Sequence, residues 1–202
     1  MPSNSLNSRI QQKTYSSQMD GIRVGQWQTF KPFTQEEILR IKEYKKKIVF
    51  KDGTITSNRE VDNSYRKTNV GWLYPTQENR WMYERIADCI VSSNNKLWKF
   101  DIFGINEAFQ YAIYNQGHHY DWHLDTGVGN MTRKISASLQ LSSPTDYNGG
   151  EMIIKSNRES IICPKELGTL AVFPSFLLHK VKPIISGQRE SLVIWISGPP
   201  FR

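Results

Sequence analysis

The stretch RKISASLQLS (133–142) alternates Ile135, Ala137, Leu139 and Leu141 with Ser136, Ser138 and Gln140. In an extended chain successive side chains leave on opposite faces, so this period of two predicts a strand with one dry face and one polar face. Seven other short β-rich runs separated by turn formers lie around it: FDIFGI (100–105), EAFQYAIYN (107–115), EMIIKS (151–156), ESIICP (159–164), GTLAVFPS (168–175), HKVKPII (179–185) and ESLVIWIS (190–197). Ahead of them Thr34-Gln35-Glu36-Glu37 forms a capping-box pattern. It opens a helix ending near Lys47, with Ile38, Ile41 and Tyr44 on one side. A second helix is predicted from about Gln77 to Ser93, its buried stripe carrying Trp81, Ile86, Cys89 and Ile90. Two helices followed by eight strands predict an α+β domain, mainly β: a double-sheet jelly roll, or double-stranded β-helix, with the N-terminal helices packed outside.

At 202 residues a single domain is expected, with helices to about 98 and the jelly roll from about 99. Residues 1–20, rich in Ser, Asn and Gln, read as a flexible N-terminal arm before a domain covering 21–202. Lys51 to Tyr74 mixes turn formers with charges and reads as a loop or short hairpin, a candidate flap over a substrate. No run approaches the ~18 apolar residues of a membrane span, and the polar start lacks the apolar core of a secretory signal. Cys89 and Cys163 match no CxxC pattern, which argues against a disulfide scaffold and fits a reducing cytoplasm. The 26 basic against 19 acidic residues give +7, so an acidic or nucleic-acid partner has to be weighed. The densest basic piece, Arg40 to Lys51, continues the first helix and reads as its solvated face.

Chemistry concentrates in YNQGHHYDWHLD (114–125). His123 and Asp125 are two residues apart, so on an extended strand they leave the same face ~6–7 Å apart and can share one ion. A third ligand must come from elsewhere, and His179, after the GTLAVFPS run, is placed to supply it from an adjacent strand. Two histidines and one carboxylate leave open positions suited to Fe(II) and oxygen chemistry. His118 and His119 read as exposed loop residues rather than ligands. Arg189 follows Pro183 and Gly187 and could re-enter the barrel on the neighbouring strand, its planar fork facing a carboxylate; the competing reading is a surface ion pair.

These motifs, with YNGGEM (147–152), GTLAVFPSFLLHKVKPI (168–184) and GQRESLVIWISGPP (187–200), resemble the prolyl 4-hydroxylase-type Fe(II)/2-oxoglutarate oxygenases, especially small bacterial and phage members, over roughly Met19 to Pro199. The resemblance implies His123, Asp125 and His179 as iron ligands, Arg189 on the far carboxylate of 2-oxoglutarate, Tyr114 as a hydrogen-bond donor to it and Trp195 in the same pocket. Relatives often have a tyrosine where this chain has Gln140, which either hydrogen-bonds the co-substrate or faces solvent. Arg66 lies where relatives close a loop over substrate, and is either a substrate contact or an exposed loop cation. O2 and, as reductant, ascorbate complete the implied chemistry, which converts 2-oxoglutarate to succinate and CO2. The implied substrate is a proline in a peptide or protein. A nucleic-acid demethylase is less favoured, because ESLVIWI lacks the second arginine of those relatives. A free amino-acid hydroxylase and, from a different class, a non-catalytic metal- or partner-binding module also compete with the prolyl reading. Nothing in the sequence specifies an oligomeric state.

Overall fold

The computed structural model describes residues 27–54, 62–156 and 159–201. The expected arm at 1–20, the start of order near Gly21 and the middle of the expected flap lie outside these. Helix α1 spans Gln35–Glu43 and continues as a 3-10 turn, Tyr44–Lys47; α2 spans Arg80–Ser93 and ends in a π-helical turn, Asn94–Trp98. The strands are β1 (Gln28–Phe30), β2 (Lys51–Asp52), β3 (Arg66–Lys67), β4 (Asn69–Leu73), β5 (Phe109–Tyr114), β6 (His119–His123) and β7 (Arg133–Gln140). They continue as β8 (Tyr147–Gly149), β9 (Met152–Ser156), β10 (Glu159–Ile162), β11 (Leu170–Pro174), β12 (His179–Val181), β13 (Ile184–Gly187) and β14 (Arg189–Ser197). A main sheet runs β1-β11-β7-β14-β5-β4-β2, a facing sheet β10-β9-β12-β6-β3, and β13 pairs with β8. All the strand pairs are antiparallel, as in a jelly roll.

The capping box forms as predicted: Glu37 N donates to Thr34 Oγ1 and Thr34 N to Glu37 Oε2. It directs α1 so that Ile38 and Ile41 meet Met82, Ile86 and Ile90 of α2 over Phe109, Tyr111, Leu139, Leu192 and Ile194 of the main sheet. This helix–sheet layer is the main core, and each buried Leu or Ile there contributes ~1.5–3 kcal/mol. No helix among the described residues is long and apolar enough to cross a membrane.

Several expectations change. The second helix starts at Arg80, behind Asn79, whose side chain bonds Thr76 N and Tyr74 O instead. FDIFGI makes no strand: only Gly104 bridges to Ser197, although Phe100, Ile102 and Ile105 still pack against the core. Within 51–74 the chain adds strands to both sheets, so the jelly roll is not confined to residues after 99. β4 joins β5 edge to edge, and Gly71 lets residues 48–50 pack against it, since a Cβ there would sit 2.1 Å from Ile48 Cγ2. The basic piece at 40–51 is largely a solvated face, with Arg40, Lys46, Lys47 and Lys51 exposed, while Lys45 turns inward to the buried Glu190 at 2.7 Å.

Candidate active site

Three neighbouring strands of the main sheet share one logic. In β7, β14 and β5 one set of side chains, such as Leu139, Leu192 and Tyr111, enters the helix-covered core, while the alternate set turns inward between the sheets. Ser136, Ser138 and Gln140 belong to that inner set and are all buried. Ser138 lines a cavity of about 440 Å³ together with Arg189, Ser191 and Trp195 of β14, and Gln140 lines an adjoining pocket with Tyr147 and Arg189.

His123 ends β6, Asp125 follows it, and His179 begins β12, directly opposite His123 in the antiparallel pair. The expected third ligand thus arrives across one ladder. The three ligating groups lie within 4.8 Å of one another, His123 Nε2 3.8 Å and His179 Nε2 3.4 Å from the Asp125 carboxylate. Each ring is oriented from behind: Nδ1 of His123 donates to Asp121 O and Nδ1 of His179 to Leu177 O, both at 2.8 Å. Because a carbonyl can only accept, these bonds place the protons on Nδ1 and leave both Nε2 lone pairs toward the carboxylate. Ser136 Oγ donates to Asp125 Oδ2 at 2.6 Å and also lies 2.9 Å from Ser175 Oγ.

The electrostatics suit a cation. Burial, reinforced by His179, pulls His123 down to about 3, so its imidazole is neutral at pH 7. Burial pushes Asp125 upward, but the two histidines and Ser136 outweigh it and hold the carboxylate below its usual range. Burial would lower His179, yet the Asp125 carboxylate raises it. Two neutral-capable imidazoles and one anionic oxygen donor, each oriented by a second hydrogen bond, fit a divalent first-row metal such as Fe(II).

Arg189 starts β14, opposite Tyr114 of β5, with its guanidinium 5.4 Å from the Tyr114 ring centroid. It lies on the sheet facing His179, not on the strand neighbouring it, because the β13–β8 excursion carries the chain across. Only 4% exposed, Arg189 donates to Ser191 Oγ, and among the described residues no carboxylate lies within ion-pair distance. It is not a surface ion-pair residue, and a buried guanidinium met by neutral groups is a ready anion site. Trp195 lines the cavity with its Nε1 unbonded, beneath the Arg133 guanidinium at 3.7 Å.

Gln140 does not face solvent: its Nε2 donates to Tyr147 Oη at 2.9 Å. Tyr147, which the motif YNGGEM carries without marking it, has its phenol raised by burial and pulled back by the adjacent Arg189. Arg66 is buried in β3 and lines the cavity, not an exposed loop cation. His119 belongs to β6 and His118 is half-buried; neither joins the ligand cluster.

A sequence profile of the 2OG-Fe(II) oxygenase superfamily matches residues 109–197. Several curated relatives are named PKHD-type hydroxylases. One from Shewanella baltica is 32% identical over 90 residues, 42% of this chain and 40% of that protein. Another, from Parvibaculum lavamentivorans, is 37% identical over 117 residues, 54% of this chain and 53% of that protein. A third, from Prochlorococcus marinus, is 28% identical over 156 residues, 75% and 68% of the two chains. The chain spans about 40% of the length of the first curated relatives it matches. Among solved structures, a Trichoplax adhaerens prolyl hydroxylase in complex with a peptide fragment of the hypoxia inducible factor oxygen degradation domain superposes with a TM-score of 0.72 at 19% identity, covering 87% of this chain and 84% of that one. A Pseudomonas putida prolyl-4-hydroxylase gives 0.66 at 19%, covering 87% and 94%. At such identity these structures speak for the fold. The profile match covers residues 109–197, from β5 to the end of β14, and the relatives named above that share sequence with this chain are PKHD-type hydroxylases.

Proposed function

We propose that this protein is an Fe(II)- and 2-oxoglutarate-dependent dioxygenase that hydroxylates a prolyl residue in a peptide or protein. The observation that carries the reading is the presence, in one cavity, of the His123–Asp125–His179 cluster and of the buried, acid-free Arg189. His123, Asp125 and His179 would hold the iron. Arg189 would bind the far carboxylate of 2-oxoglutarate, with Tyr114 and the Gln140–Tyr147 pair beside it. When bound, iron and co-substrate supply oxidation by O2, with decarboxylation to succinate and CO2. The protein's own part is geometric: Ser136 fixes the Asp125 carboxylate, backbone carbonyls fix both rings, and Trp195, Phe173 and Val181 dry the walls. The names of the relatives and the peptide held by the Trichoplax enzyme support a peptidyl-proline substrate. Ascorbate as reductant and a cytoplasmic setting extend the same reading, with Cys89 and Cys163 both free thiols.

The test supplies purified protein with Fe(II), ascorbate, 2-oxoglutarate and O2. Succinate should form above blank and His179→Ala should abolish it; equal release by both proteins rejects the site. A +16 Da gain on lysate peptides treated with wild type but not with the variant would then identify the substrate.

A further inference from the structure

Three arginines are buried among the described residues, Arg66, Arg133 and Arg189, and their charges are met differently. Arg133 is forked onto Glu107, with Nε 2.7 Å from Oε1 and Nη2 on Oε2. Arg189 has no acid and is taken by the proposed co-substrate. Arg66, 7% exposed and on the wall of the same cavity, has no acid within ion-pair distance among the described residues either. Its Nη1 donates to Thr54 O at 3.1 Å and its Nη2 to Gln110 Oε1 at 3.0 Å, and its Cζ lies 4.4 Å from the Tyr120 ring centroid. Each of these partners is neutral. Gly53 makes the room, since a Cβ there would come 2.7 Å from Nε. A guanidinium has five N–H groups, and each Nη keeps one beyond these bonds. Burying such a charge against neutral acceptors is costly, and buried arginines are ordinarily paired.

Arg66 and Arg189 are anchored at separate places along β5. Gln110, which anchors Arg66, pairs with Val193, whereas Tyr114 pairs with Arg189. Four residues of strand separate these anchors, ~13 Å. The carboxyl carbons of a five-carbon diacid are four bonds apart, at most ~6 Å. A carboxylate that meets Arg66 while the co-substrate occupies Arg189 lies close to the chemistry, because Tyr120 also stacks on His123 at 3.5 Å between centroids.

We infer that Arg66 recognises a carboxylate of the substrate itself, carried near the oxidised carbon. The inference rests on the dioxygenase reading and names the substrate class for it. The carboxylate comes either from an acidic side chain next to the proline or from a chain end or free imino acid.

Four probes separate these sources: N-acetyl-aspartyl-prolinamide, N-acetyl-asparaginyl-prolinamide, N-acetylproline and N-acetylprolinamide. Their binding to the whole protein is read from the fluorescence of Trp72 and Trp195, which line the cavity. At least one acid should bind about 10-fold tighter than its amide, and which one does identifies the source. Arg66→Gln should reduce that preference to within about two-fold, while Arg66→Lys keeps part of it. Gln110→Glu retains the arginine but supplies an internal carboxylate, and should erase the preference even if Arg66→Gln folds poorly. Equal binding of acids and amides by wild type, or a preference surviving in both Arg66→Gln and Gln110→Glu, overturns the assignment. So does displacement of the probes by a short single-stranded oligonucleotide but not by acetate. Succinate release separates the two claims: release stimulated equally by acids and amides sinks this inference alone. An Arg66-dependent acid preference without any succinate sinks the oxygenase reading and leaves the binding site standing.

Discussion

The two faces of the main sheet are built from the same strands and obey opposite rules. On the helix side Ile135, Leu139, Leu192 and Ile194 are fully buried among apolar neighbours and every contact favours folding. On the side facing the other sheet the same strands present Ser136, Ser138, Gln140 and Arg189, buried too but polar, with Ser136 on Asp125, Gln140 on Tyr147 and Arg189 on Ser191. One face stabilises the fold; the other draws on that stability to hold groups in readiness for ligands, the trade-off common at functional sites.

The sharpest way to break this division is to truncate each face in turn. Leu139→Ala should cost about 2–5 kcal/mol, read from urea unfolding, whereas Ser138→Ala, one residue away on the other face, should stay within about 0.5 kcal/mol. Equal losses would erase the distinction. Arg189→Met should weaken 2-oxoglutarate binding by roughly 10–100-fold, measured calorimetrically, without lowering the urea midpoint, because it removes a buried charge that has no acid. Ser136→Ala should weaken Mn(II) binding by about 10–100-fold through the freed Asp125 carboxylate, with little change in unfolding. A smaller effect tests the cover on the apolar face: Thr34→Ala removes the cap of α1 and should cost about 1 kcal/mol in thermal or urea unfolding.

The least of these effects is a pH dependence. Burial raises Glu37, but its bonds to Arg85 and Thr34 N outweigh that and leave it below its ordinary value of 4.5. A carboxylate lowered on folding adds stability that is fully present above the unfolded value and is lost as pH falls through the folded one. Urea midpoints of wild type and Glu37→Gln should therefore converge below about pH 4.5 and separate above it.

Much of this was legible in the sequence where a local pattern carried it. The alternation in 133–142 marked the strand, the capping box marked α1, and the spacing of His123 and Asp125 marked two of the clustered donors. Where the polar face of 133–142 points was left open, because small polar side chains facing the protein interior leave the same trace as ones facing water. β4 was missed because Asn69-Val-Gly-Trp-Leu73 carries no period, and its pairing partners in β5, Phe109 to Ile113, lie far along the chain. The burial of Arg66 depends on Gly53, Thr54 and Gln110 converging from separate segments, and no spacing encodes that.

His123 and His179 stand opposite one another in a hydrogen-bonded ladder, with each ring tied to its own backbone. The polypeptide therefore sets the spacing of the donors, and a rigid nitrogen–oxygen cage of this kind discriminates poorly among divalent ions. Later first-row metals generally bind such donors more tightly than ferrous iron. Whether a given copy works in the cell would then follow from the local supply of iron against zinc and copper, making metal trafficking, as much as oxygen, a governor of its output.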